Sequence, residues 1–143
     1  MKPRRARPAD PSDLPGLVLD AGALRALEHY DVVLAAALRT ARRLDMPIRI
    51  PAAALAQVWR GGPRSAQLAR LLSQSATVVS VDEVTARQIG EFIARSHLPD
   101  GARADVVDAH VALTTRLTQS VVYTSDPRDM ARYGVGPDQI RKI

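Results

Sequence analysis

From Gly16 onward, short apolar runs alternate with longer segments whose apolar residues recur at helical spacing. That alternation restricts the chain to the α/β class, with a parallel sheet assembled from βαβ units. The strand expectations are Leu17–Leu19, Ile48–Ile50, Thr77–Val81 and Val121–Thr124, with a weaker one near Gln139–Ile143. Between them, residues 32–44 place Val33, Ala36, Ala37 and Leu44 near one helical stripe, while 52–60 and 64–73 form a helical pair divided at Gly61-Gly62-Pro63. Asp82 is placed to cap a further helix, with Thr85 following it, and residues 103–119 carry a stripe of Val106, Ala109, Leu113 and Leu117. No internal repeat is found.

With 143 residues and 46% hydrophobic content, the chain is long enough to bury one core of its own. Residues 1–16 are rich in Pro and Arg and lack periodicity, so the expected division is a mobile extension over 1–16 and a single domain over 17–143. The extension reads either as a solvated tail or as an auxiliary arm that touches RNA. No run approaches the roughly 18 to 20 apolar residues of a membrane span, and MKPRRARPADPSDLPG has no apolar segment to act as a secretion signal, so a cytoplasmic location is expected. Cysteine is absent, which excludes disulfides, thiolate nucleophiles and zinc–thiolate sites, and His29, His97 and His110 make no metal-ligand spacing. Any metal must then sit on oxygen. The formal charge of +5 is compatible with a polyanionic partner, but the domain after residue 16 is only mildly basic, and charge alone does not establish nucleic-acid binding.

In an open α/β sheet ligands gather at the carboxyl ends of strands, so acids just after strand runs are the informative ones. Asp20 ends the first strand in LVLDAGAL, Asp126 follows the fourth in VVYTSD, and Asp108 lies on the helix leading into that fourth strand. Asp105 stands three residues before Asp108, which puts the two on one helical face. Each acid also has a purely structural reading: Asp20 and Asp105 as helix caps, Asp126 as the start of a turn before Pro127. Taken together at strand ends they favour a site, because crowded carboxylates repel and are usually kept ionised by a bound divalent cation. Magnesium suits oxygen ligands and retains several waters, one of which it activates.

At these residues the chain resembles a family. LVLDAGALRALE is similar to the opening strand of PIN domains, DAHVAL to their helical acid motif and VVYTSDPRDM to the strand-then-acid segment that follows; the match spans nearly the whole chain after residue 16. The resemblance implies a PIN-like three-layer α/β/α sandwich around a four- or five-stranded parallel sheet, a homodimer, Mg2+ or Mn2+, and cleavage of RNA. Short length and the lack of extra domains look most like VapC toxins, the ribonuclease subunits of type II toxin–antitoxin pairs, which implies a VapB-like antitoxin. Such partners commonly insert an arginine into the acid pocket, where carboxylates accept it by charge-assisted bonds.

One position departs from the pattern. PIN nucleases usually carry a glutamate in the helix after the second strand, and IPAAALAQVWR has Gln57 there. An amide oxygen still ligates or hydrogen-bonds but brings no charge, so cation affinity should fall. Asp105, otherwise an N-cap, or Glu28, otherwise a surface acid, are the residues placed to compensate. The resemblance also gives Thr124 and Ser125 a role in holding a water or phosphate, with Ser125 equally readable as a turn residue. His110, two positions beyond Asp108, should point away from it, and Trp59 reads as a packing anchor. RNA contacts would fall to Arg60, Arg64 and Arg70 around the Gly-Gly-Pro break, a solvated face otherwise. The expected function is a metal-dependent endoribonuclease in which Asp20, Asp108 and Asp126 hold the ion, with a catalytically weakened PIN domain that binds RNA or protein as the alternative. A receiver-like phospho-acceptor is disfavoured, because such domains need a second acid pair near the first strand and a lysine after the last one, and the only lysines are Lys2 and Lys142.

Overall fold

Leu17, Val18 and Leu19 are apolar on both faces of their strand, and only the centre of a sheet covered on both sides accommodates such a run. In the computed structural model, which describes residues 14–143, these three form strand β1 at the middle of a five-stranded sheet. The chain continues through α1 (Ala21–Glu28), α2 (Val32–Arg43), β2 (Ile48–Pro51), α3 (Ala52–Val58), a 3-10 turn (Gly62–Ser65), α4 (Ala66–Gln74), β3 (Ala76–Val79) and α5 (Glu83–Arg95). It ends with α6 (Val106–Leu117), β4 (Val121–Thr124), α7 (Pro127–Arg132), a second 3-10 turn (Pro137–Gln139) and β5 (Ile140–Lys142). Residues 1–13, most of the expected mobile extension, lie outside the described residues.

The strand order is β3-β2-β1-β4-β5, and every neighbouring pair is parallel. Leu17 is in register with Ile48 on one side and Val121 on the other. Right-handed crossovers place the helices of the outward path from β1 to β3 on one face, and those of the return through β4 to β5 on the other. The result is a three-layer α/β/α sandwich. Because the path leaves β1 in both directions, the crevice between the carboxyl ends of β1 and β4 is the topological switch point, where such folds bind ligands.

Several helices begin where the sequence places a capping acid. Asp82 Oδ1 accepts the Thr85 amide at 2.8 Å, and Asp31 Oδ1 accepts that of Leu34 at 2.8 Å; such a cap is worth roughly 1 kcal/mol. Two stripes are phased differently from expectation. On α2 the buried residues are Leu34, Leu38 and Ala41, while Val33 and Leu44 are more than half exposed and Ala36 faces solvent. The buried stripe lies opposite the arc of Arg39, Thr40, Arg42 and Arg43, the polar residues that set the rotation of this helix. On α6, Ala109 and Leu113 are buried as expected, but Val106 and Leu117 at the two ends are exposed, and Ala109–Thr115 is buried all round. This helix packs on β1, β2 and β4 and is flanked by α3, α5 and α7, so it has no wide solvent face. Trp59 does not anchor packing: it terminates α3 and is 40% exposed.

Candidate functional site

Asp20 follows β1 directly and opens α1, where its Oδ1 accepts the Ala23 amide at 2.7 Å. It is 8% exposed, and burial raises its pKa above the ordinary carboxylate value against the opposing pull of a hydrogen bond from the Thr124 side chain. Thr124, the fully buried last residue of β4, also accepts the amide N–H of Asp126 on Oγ1 at 3.0 Å. One hydroxyl therefore ties the end of β1 to the end of β4. Gly22 allows this closeness: a Cβ there would lie 2.1 Å from Ser125 Oγ.

Asp126 caps α7 through the Arg128 amide at 3.1 Å, and Asp105 caps α6 through the amides of Val107 and Asp108 at 2.8 and 3.0 Å. The Asp105 amide is held in turn by the Tyr133 hydroxyl at 2.9 Å. The structural readings of Asp20, Asp105 and Asp126 thus all hold, yet these acids are also gathered. Asp108, in the first turn of α6, is pushed up to about 7, first by burial and then by the charges of Asp105, Asp129, Asp20 and Asp126. Among the described residues no cation pairs with Asp108.

Asp129 was not anticipated. Burial and the charge of Asp126 raise its pKa, against the lowering effect of Arg132, whose guanidinium stands 3.5 Å away. Its spacing from Asp126, one helical turn, is the same i,i+3 signal that linked Asp105 to Asp108. The other expected participants are dispersed. Gln57 is exposed on α3, the helix that packs against both α1 and α6, and its side chain makes no hydrogen bond to the acids. Glu28 neither joins the cluster nor lies free on the surface: its carboxylate accepts the Leu68 amide at 2.9 Å, at the start of α4. His110 is turned away from Asp108 into the interior, 1% exposed with neither ring nitrogen hydrogen-bonded. Arg60, Arg64 and Arg70 are exposed, and the Arg60 guanidinium folds back onto the carbonyls of Ala56, Gln57 and Trp59.

The donor set is all oxygen, largely anionic and short of positive charge, which suits a hard divalent cation that keeps part of its water shell. No three acids among the described residues already close around an ion, so direct ligation by several of them would require their side chains to move.

No family model matches the chain, and no curated protein matches it. Solved structures do. The FitAB complex bound to an IR36 DNA fragment superposes with a TM-score of 0.57 at 15% identity, covering 88% of this chain and 94% of that one. FitAcB from Neisseria gonorrhoeae superposes with a TM-score of 0.50 at 16% identity, covering 84% and 94%. Likeness of this extent at such low identity is a likeness of architecture: the chain has the PIN-like α/β/α fold, with its carboxylates at the switch point of the sheet.

Proposed function

We propose that the chain is a metal-dependent endoribonuclease of the VapC-like toxin kind, acting at the cluster of Asp20, Asp105, Asp108, Asp126 and Asp129. The observation that carries this reading is the raised pKa of Asp108, due first to burial and then to the charges of Asp105, Asp129, Asp20 and Asp126, in the crevice where such a sheet binds ligands. Asp20, Asp108 and Asp126 would hold Mg2+ or Mn2+, with Asp129 or Asp105 adding charge in place of the glutamate that Gln57 replaces. When bound, such an ion supplies an acidified water and offsets charge on the phosphodiester. The protein's own contribution is positional. Thr124 holds Asp20 and the backbone of Asp126 at fixed spacing, and Ser125, exposed beside them, offers a hydroxyl to a phosphate oxygen or a water.

The fold neighbours are FitAB on DNA and FitAcB, which supports an antitoxin as partner; a VapB-like antitoxin and a homodimeric assembly belong to the same proposal. No helix among the described residues is long and apolar enough to cross a membrane, in keeping with action on cytoplasmic RNA. Protein freed of any partner should cut RNA with Mg2+ or Mn2+ and stop cutting as Asp20→Asn, a change that keeps a capping oxygen. Undiminished cleavage by that variant would defeat the assignment. A second reading, a weakened domain that binds without cutting, is favoured by the uncharged, exposed Gln57. Calorimetric titration of Mn2+ into wild-type and Gln57→Glu protein separates the two. Tighter binding together with newly gained cleavage marks a weakened site, and loss of existing cleavage marks a working design built on the amide.

A further inference from the structure

Between α5, α6 and α7 lies a cleft of about 720 Å³, lined among others by Arg95, Arg116, Arg132, Phe92 and Tyr133. We infer that this cleft is the subsite for the phosphodiester backbone of the single-stranded RNA that the cluster acts on, with Arg116 and Arg95 as its anion-binding residues. The inference rests on the nuclease reading for its substrate, but its argument is separate.

Arg95, Arg116 and Arg132 each stand in the last turn of a helix, where the helix dipole favours a cation. The dipole explains a cation at each helix end; it does not explain why three of them face one concavity. Of these three arginines only Arg132 has a carboxylate partner among the described residues, and that partner, 3.5 Å away, is Asp129 of the acid cluster, which makes Arg132 the link between the cleft and the proposed reaction centre.

Arg116 is held in place before any ligand arrives. Its guanidinium lies over the Phe92 ring at 5.6 Å, Phe92 is stacked on Tyr133 at 6.0 Å, and Nη1 donates to the Tyr133 carbonyl at 3.4 Å. Gly134, at φ +75, leaves the space: a Cβ there would stand 3.1 Å from Arg116 Nη1. A planar guanidinium stacked on an aromatic ring keeps its remaining N–H fork directed outward, the geometry that binds a phosphate by paired bonds. Arg116 stands eight residues after Asp108, about 12 Å along the helix, a distance that a short stretch of strand bridges. By contrast, Arg60 near the Gly-Gly-Pro break spends its donors on its own backbone.

The test is fluorescence anisotropy of a labelled single-stranded RNA in EDTA across a salt series, with cleavage kinetics in Mn2+ alongside. Arg95→Gln/Arg116→Gln should weaken binding roughly tenfold or more and lower the salt slope by about 1.4, at about 0.7 per lost phosphate contact. Arg39→Gln/Arg43→Gln, on α2 in the opposite layer, should change neither. Ala131→Arg, exposed on the cleft rim, should tighten binding and steepen the slope, and so provides an arm that does not depend on the doubly substituted protein folding. Equal losses in both double variants, or no effect of Ala131→Arg, overturn the subsite. RNA held by the cleft but never cut with metal sinks the nuclease reading and leaves the subsite standing. Cutting with KM unmoved by the cleft variants does the reverse.

Discussion

Replacing Asp108 by asparagine should make the metal-free protein more stable while destroying the proposed activity. The Asp108 carboxyl is pushed from an ordinary value near 3.8 to about 7 by burial and by four neighbouring carboxylates. An acid whose folded pKa stands above its unfolded one favours the fold while protonated. Its contribution is therefore full at low pH and is lost as pH rises from about 4 through about 7. At about 1.4 kcal/mol per pH unit, the gap sets a ceiling of roughly 4 kcal/mol. Asp108 is only partly buried, and solvent screens its neighbours, so the realised effect should be about 1 to 2 kcal/mol. Asp108→Asn keeps the volume and removes the charge. Urea unfolding in EDTA, repeated from pH 5 to pH 9, should show the variant gaining on wild type as pH rises and levelling above about pH 8. Saturating Mn2+ should then raise the wild-type midpoint and leave that of the variant nearly unmoved, because an ion bound only to the folded state stabilises it by mass action. A variant equal to or weaker than wild type at pH 8 in EDTA would refute the claim that burial and the neighbouring carboxylates together disfavour a charged Asp108.

Two further outcomes follow from the same geometry. Gly22→Ala should cost about 1 to 3 kcal/mol, because its Cβ would lie 2.1 Å from Ser125 Oγ and 3.0 Å from Ser125 Cβ; thermal unfolding should show Ser125→Gly restoring part of the loss, and an additive double variant would argue against the contact. His110→Leu should stabilise the fold by about 1 kcal/mol or more, since both ring nitrogens are buried without partners. Burial holds the His110 pKa below 6.5, so wild-type stability should fall as pH drops below about 6.5, where only the unfolded chain protonates; the variant should lack that part of the fall, and identical pH profiles would show the ring to be hydrogen-bonded after all.

The sheet and the positions of Asp20 and Asp126 at its carboxyl edge were legible because both are written locally. A strand buried on both faces is a run of apolar residues, and an acid immediately after it can only lie at the sheet's carboxyl edge. Asp129 was equally legible by spacing, one turn after Asp126, but it lies beyond the strand end on which attention falls. What could not be read was set by distant parts of the chain. Glu28 reaches an amide forty residues away to cap α4, and nothing near residue 28 announces that role. The basic cleft collects the ends of three helices and acquires its character only when α5, α6 and α7 meet. The rotation of α2 was legible in its second half, where Arg39, Thr40, Arg42 and Arg43 mark the solvent side, and was missed by following the apolar residues 33–37 alone.

The capping bonds made by Asp20, Asp105 and Asp126 bear on how this domain can change over time. Each accepts its amides through a single carboxylate oxygen, Oδ1, and an asparagine side chain supplies a carbonyl oxygen at the same place. The cluster can therefore shed its negative charge one acid at a time while every helix still starts where it did. A lineage carrying this architecture could pass from a cutting protein to a silent one without meeting an unfolded intermediate, and a protein engineer could follow the same path by design.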